Sequence, residues 1–285
     1  MFYVGISIAR LIESLVCLWF QLTQSFTQLI IVSLIAMFKF IPLTMLKKRQ
    51  DNSSRRPQAN AFGIFGAAQA ATLPSSVDLS LDNWPPIYNQ NVIGSCTANA
   101  LCSNIRYLAR NKSFEPSRLF VYYMERLNEC KGDHSAIYDS GATIDYACQY
   151  SEEVGVCEEH MWPYDIMNVN IQPPQACIDN ARSYKVGRCF NISLNFGCML
   201  KTIKYLLRMH LPVLYAFGVY ASFMLTGAAS GRPSMPNPIV YEDGNDARDP
   251  FLGGHEVLIV GYDDTTQLFK LVNSWGEEWG EKGFF

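Results

Sequence analysis

One cysteine, one histidine and one asparagine in this chain stand where their side chains can do chemistry together. Cys96 ends the loop Gln90-Asn91-Val92-Ile93-Gly94-Ser95 and opens a helix, because Ala98, Leu101, Ile105 and Leu108 recur at helical spacing. Gly94 gives the backbone room to turn, and Ser95 is placed to cap the helix. Cys96 then sits at a helix N-terminus, where unsatisfied amides and the macrodipole favour a thiolate. That setting predicts a lowered thiol pKa and a reactive nucleophile. Gln90 lies upstream on the same loop, and its side-chain amide, folded back beside the sulfur, would hold a developing oxyanion. A lone cysteine on a helix is ordinarily a small buried residue, so the assignment depends on its partners.

The partners are in a hairpin. Glu256–Tyr262 is a buried strand by its β-branched run, Asp263–Thr266 a turn, and Gln267–Val272 the return strand. A turn centred near Asp264 places His255 opposite Asn273, on one face, with Cβ atoms about 4.5–5.5 Å apart. An imidazole that accepts and returns a proton needs a third group to fix its tautomer, and a carboxamide oxygen does this. A neutral asparagine suffices where the nucleophile is a thiol, since only orientation of the imidazolium is required. His134, His160 and His210 flank or end helices and read as structural.

Composition limits the alternatives. Hydrophobic residues make up 49% and charged residues 17% of 285, which excludes a disordered charged chain. A net charge of -3 leaves no nucleic-acid footprint. Nine cysteines occur, none spaced as C-x-x-C, so zinc ribbons and dithiol redox motifs are excluded and no metal or cofactor is implied. Glu242, Asp243, Asp246 and Asp249 lack the alternation of a calcium loop and read as a solvated surface. Asn-x-Ser sequons at Asn52, Asn111 and Asn191 matter only in a secreted chain.

Residues 1–46 are apolar, and Ser14–Phe38 carries no charge over a length that can cross a bilayer. Lys47, Lys48, Arg49, Arg55 and Arg56 follow it, whereas Arg10, offset by Glu13, precedes it. This charge order is that of a single-pass membrane anchor with the following domain in the cytoplasm, and the reverse of a cleaved signal. A chain begun at Met45 would instead be soluble and cytoplasmic. Residues 47–73 read as a linker and 74–285 as the globular domain. Its first part is helical: Arg118–Cys130 capped by Ser117, then Thr143–Val154 ended by Gly155. Lys201–His210 is a further helix stopped by Pro212, and Val213–Tyr220 a buried strand.

Taken in chain order, these segments resemble the papain/cathepsin-type cysteine peptidases over about residues 74–285. Gln90 with Gly94-Ser95-Cys96 is similar to that family's oxyanion glutamine and nucleophile segment. Gly253-Gly254-His255 is similar to its histidine segment. Asn273-Ser274-Trp275-Gly276, with Trp279-Gly280 and Lys282-Gly283-Phe284, is similar to its asparagine and tryptophan segment. Ser140-Gly141 resembles the stretch that pairs with the substrate backbone. With Ser95–Ala100, Pro116–Phe120 and Trp162–Asp165, the likeness is greatest to the short papain-like proteins of bacteria and large DNA viruses.

The resemblance implies an α+β fold: a helical left half carrying Cys96, an antiparallel β-rich right half carrying His255 and Asn273, and a cleft for an extended peptide between them. It implies Cys96 as nucleophile, Gln90 and the Cys96 amide as oxyanion donors, and His255 as acid and base. Asn273 orients His255, Trp275 shields their hydrogen bond, and Gly141 lies along the substrate. Some positions depart from the pattern. Ile93 stands where secreted members carry a disulfide cysteine, and Thr97 replaces the usual aromatic after the nucleophile. Residues 47–73 are too few for the family's long inhibitory propeptide, and Phe285 falls within an expected strand, so the domain reads as incomplete at its C-terminus. That motivates an alternative: a catalytically silent, membrane-tethered papain-like binding or structural protein.

Overall fold

The computed structural model describes residues 3–6, 61–82, 84–109, 113–192, 196–233 and 249–285. Ser14–Phe38, the basic stretch after it, Met45, the sequons at Asn52 and Asn111 and most of the acidic loop lie outside these residues. No helix among the described residues is long and apolar enough to cross a membrane.

The helical half is built on α2 (Cys96–Leu108), for which the apolar spacing from Ala98 is responsible. This helix is central rather than amphipathic: Asn99, Ser103 and Asn104 are buried along with Ala98, Leu101 and Ile105. Against it pack α3 (Arg118–Glu129) and α4 (Ile144–Glu153). Ser117 caps α3, its hydroxyl oxygen accepting from the Phe120 amide. Gly155 follows α4 at φ +116°, where a Cβ would lie 1.9 Å from the Ala181 carbonyl oxygen, so no other residue fits. Ala181 ends α5 (Gln175–Ala181), a short helix without an apolar period that sequence reading passed over.

The other half is a sheet of β1 (Tyr3–Ile6), β2 (Ser76–Asp78), β3 (Cys189–Ile192), β4 (Val213–Tyr220), β5 (Phe251–Asp263) and β6 (Leu268–Val272). The strand order is β2-β5-β4-β1-β3, with β6 also paired to β5. The pairs of β5 with β2, β4 and β6 are antiparallel, as expected of this half. β1 is not: it runs parallel to both β3 and β4, so the sheet is mixed. The first residues, read as part of one hydrophobic segment, thus contribute a strand.

Three other boundaries move. The linker contains α1 (Ala61–Ala70), which packs on α6 (Phe196–Arg208) and accepts from the Lys201 ammonium at the Gln69 carbonyl, 2.5 Å. Gly63 and Gly66 gave the stretch a linker's composition, but alanine propensity and docking prevail. Helix α6 itself begins at Phe196, before the expected Lys201. Between β4 and β5 lies α7 (Ala221–Ser230), also unforeseen.

Leu101 and Ile105 of α2 share one buried cluster with Leu214 of β4 and Leu258 and Val260 of β5. The helix that carries Cys96 and the strand that carries His255 are therefore fixed to each other by packing. All eight described cysteines are free thiols.

Candidate active site

Cys96 is the first residue of α2, with Ser95 in the cap position as expected. The Ser95 hydroxyl makes no capping hydrogen bond, however. It bonds the Tyr164 hydroxyl at 2.5 Å and accepts from the Asn99 side-chain amide at 2.9 Å. Tyr164 in turn donates to the Gln90 carbonyl at 3.0 Å. The Arg118 guanidinium covers the rings of Tyr164 and Tyr88, 3.9 and 4.4 Å from their centroids. It also reaches the Asn99 carboxamide oxygen and the Asn89 carbonyl, at 3.2 and 3.3 Å. The nucleophile loop is held by this polar knot, in which a serine tied sideways has no free geometry for capping.

The Cys96 sulfur lies against the backbone amides of Thr97 and Glu256, and Glu256 directly follows His255. Burial pushes the thiol up to about 12, with Glu256 and Glu125 adding to the rise, while the two amides oppose it. This reverses the lowered pKa expected from the helix terminus: desolvation of the half-buried sulfur outweighs the macrodipole. Burial likewise lowers the His255 imidazole to about 4, against the pull of its bond to Asn273. Burial also raises the Glu125 carboxyl well above its usual range. Glu125 accepts from the Thr97 hydroxyl at 2.7 Å.

His255 Nε2 donates to Asn273 Oδ1 at 2.7 Å, and both residues are buried. The pair is the one expected, but the register is not. Leu258 faces Val272 instead of Lys270, because Gln267 (φ +57°) belongs to the turn and the ladder shifts again between Ile259 and Gly261. Continued past Leu258, the observed register brings Trp275 opposite His255. Their rings stack, 4.5 Å between centroids and 27° between planes. Asn273 reaches the imidazole from just beyond the ladder, its oxygen also accepting from the Ser274 amide at 2.8 Å.

Gln90 is buried and orients its carboxamide from both ends. Oε1 accepts from the Ser274 hydroxyl at 2.7 Å and Nε2 donates to the Ile93 carbonyl at 3.0 Å, leaving one N–H. The loop itself is paired with the segment after Asn273: Gln90 N to Ser274 O at 2.8 Å and Gly276 N to Tyr88 O at 2.9 Å. Gly141 lies near the nucleophile loop at φ +69°, and its amide is already committed to the Tyr122 hydroxyl at 3.0 Å. No hydrogen bond joins Cys96 to His255 among the described residues; the sulfur rests one residue along β5 from the imidazole.

Sequence reasoning missed Ser274, Tyr164, Arg118, Glu125 and Glu256 as members of this site. Tyr164 and Arg118 lie in stretches already noted for their resemblance, though with no role attached. Glu256 had no signal, since a buried carboxyl at the head of an apolar strand is indistinguishable in sequence from a strand end.

A family model described as papain family cysteine protease matches residues 73–285. An uncharacterized peptidase C1-like protein, L477, of Acanthamoeba polyphaga mimivirus is 34% identical over 233 residues, covering 78% of this chain and 68% of the relative. Peptidase 1 of Euroglyphus maynei is 27% identical over 231 residues, and the chain spans 64% of its length. Among solved structures, xylellain, a cysteine protease from Xylella fastidiosa, superposes with a TM-score of 0.62 at 32% identity, covering 78% of this chain and 81% of that one.

Proposed function

This chain belongs to the papain family of cysteine proteases, and on that footing we propose that it is an endopeptidase that cleaves extended peptides through a thioester on Cys96. The observation that carries the reading is the buried His255–Asn273 bond beneath the Trp275 ring, with the Cys96 sulfur on the amide of the next residue.

Burial holds the thiol and the imidazole neutral when each titrates by itself. Moving the thiol proton to His255 creates both charges together, and their attraction at close range offsets what either would cost singly. Such a transfer needs only side-chain rotation, because the backbones of α2 and β5 are already adjacent. The sulfur then attacks the scissile carbonyl. The remaining N–H of Gln90 and the Cys96 amide receive the oxyanion, and His255 returns its proton to the leaving amine. Water, activated by the same imidazole, hydrolyses the thioester. Asn273 fixes the imidazole's orientation, and the Trp275 ring stacked on it keeps water from the His255–Asn273 bond.

The reading is tested by incubating the full chain with fluorogenic peptides and a peptidyl epoxide, then mapping the modified residue by mass. Cleavage and labelling at Cys96, both lost in Cys96→Ala, support it; unchanged turnover by Cys96→Ala sinks it. Labelling without any cleavage would favour the silent alternative.

We infer membrane attachment separately, from the uncharged run Ser14–Phe38 and the basic residues after it, but to one face only, because a full crossing would put Tyr3–Ile6 across the bilayer from β3 and β4, with which it pairs. Fractionation of cells making the full chain and a chain begun at Met45 decides it: both in the soluble fraction would remove the anchor.

A further inference from the structure

We propose that Asp139 and Tyr122 are positioning residues, a non-covalent latch that fixes one wall of the groove so that it accepts an extended peptide. One carboxylate oxygen of Asp139 takes two hydrogen bonds. The Gly94 amide donates to it at 3.0 Å from the nucleophile loop, and the Tyr122 hydroxyl donates to it from α3. The same tyrosine oxygen accepts from the Gly141 amide at 3.0 Å. Two loops distant in sequence, 93–96 and 138–141, are thereby joined through one phenol and one carboxylate.

The junction is tight. A Cβ on Gly94 would lie 3.0 Å from both Cα and N of Gly141 and 3.1 Å from the Tyr122 oxygen. The loops therefore meet backbone on backbone, and any side chain at Gly94 would force them apart. No disulfide holds them, since Ile93 offers no sulfur and every described cysteine is free.

The latch is anchored from below. Tyr122 is fully buried, and burial followed by its bond to Asp139 keeps the phenol protonated as a donor. The Arg126 guanidinium lies 3.8 Å over its ring and donates to the Tyr138 carbonyl at 2.7 Å, fixing the residue that leads into Asp139. Asp139 itself is exposed, so it adds no apolar burial to the core; its contribution is the geometry of the wall.

This inference rests on the endopeptidase reading, with a peptide lying along Gly141. Loosening the wall then weakens the hold on residues remote from the scissile bond and leaves the sulfur's own reactivity alone. The test compares a tripeptidyl coumarin amide with a coumarin amide of one acylated residue, on the same preparations. For Asp139→Ala and Tyr122→Phe, the ratio of kcat/KM for long over short substrate should fall about tenfold, the scale of one or two hydrogen bonds. Asp139→Asn keeps an oxygen that accepts both bonds and should restore the ratio. Alkylation of Cys96 by iodoacetamide should be unchanged throughout. A constant ratio, or an equal fall for both substrates, overturns the proposal; partial unfolding lowers both substrates alike and cannot imitate the expected change. If the unaltered protein cleaves neither substrate, the endopeptidase reading fails and the latch is decided by binding. A fluorescent tripeptide amide is then titrated into Cys96→Ala with and without Asp139→Ala. Weaker binding with the second substitution upholds the latch, and equal affinity ends it.

Discussion

The Ser274 hydroxyl donates to the side-chain oxygen of Gln90 at 2.7 Å, so the proposed oxyanion donor is aimed from the segment that carries Asn273. A carboxamide held by its oxygen presents its N–H groups in a fixed direction. Removing Gln90 is expected to lower kcat by about 10²–10³-fold, the usual loss for one oxyanion donor. Ser274→Ala leaves the donor present but unaimed, so a smaller loss in kcat is expected, with alkylation of Cys96 unaffected. Steady-state kinetics beside iodoacetamide rates check both.

Asn273→Ala removes the acceptor that fixes the imidazole, and a fall in kcat on the order of 10²-fold is expected, within the range for an acid–base catalyst made unreliable. Trp275→Leu keeps the bond but opens it to water, so it should cost less than Asn273→Ala. The reverse order in measured kcat would show that the indole serves the reaction in some other way.

His255 makes stability depend on pH. Its imidazole is lowered from 6.5 to about 4 by burial, so the unfolded chain binds the proton more readily. The stability it contributes is full above pH 6.5 and is lost as pH falls toward 4, by about 3 kcal/mol in all. Urea unfolding between pH 4 and 7 should show this slope, and His255→Gln should flatten it.

Glu125 acts in the opposite direction. Its carboxyl is raised well above 4.5 by burial, so the fold favours the protonated form. Its contribution is full below pH 4.5 and declines as pH rises above that value. Glu125→Gln keeps an oxygen for the Thr97 hydroxyl without a titrating group, and is expected to gain stability over the unsubstituted protein on going from pH 5 to pH 8. Denaturant midpoints at the two values test it; a constant difference would mean that Glu125 does not titrate in this range.

Arg126 is buried and lies on α3, yet it ties together segments outside that helix. Its guanidinium donates to the Tyr138 carbonyl and the Asn170 side chain at 2.7 and 2.9 Å, and also to the Val169 carbonyl. Arg126→Ala strands these acceptors and leaves a cavity, for an expected loss of about 3 kcal/mol or more in chemical denaturation. Arg126→Lys should recover little of it, because an ammonium cannot reach three directions in one plane.

The catalytic candidates were legible because each stood at a boundary that sequence marks well. Cys96 follows a glycine and opens an apolar period, and His255 and Asn273 bracket a hairpin. What sequence could not supply was geometry set by three-dimensional enclosure. Counting outward from the turn paired His255 with Asn273, but Gln267 in a left-handed conformation and the irregularity near Val260 displaced the ladder. Their side chains meet all the same, since Asn273 reaches inward from beyond the strand. The thiol pKa failed for a related reason: the helix terminus is visible in sequence, whereas the tertiary packing that desolvates the thiol and sets Glu256 of β5 and Glu125 of α3 near it is not. Helix α1 and strand β1 escaped notice because their composition resembled a spacer and a lipid-facing run, and only docking on α6 and the sheet distinguishes them.

Under the proposed mechanism the described thiols, all unbridged, divide between Cys96, which must stay reduced to react, and seven others on which no cross-link depends. A reductant strong enough to rescue an oxidised nucleophile therefore removes no staple from this framework. Upkeep of the working sulfur and upkeep of the shape around it make no conflicting demand on the surroundings.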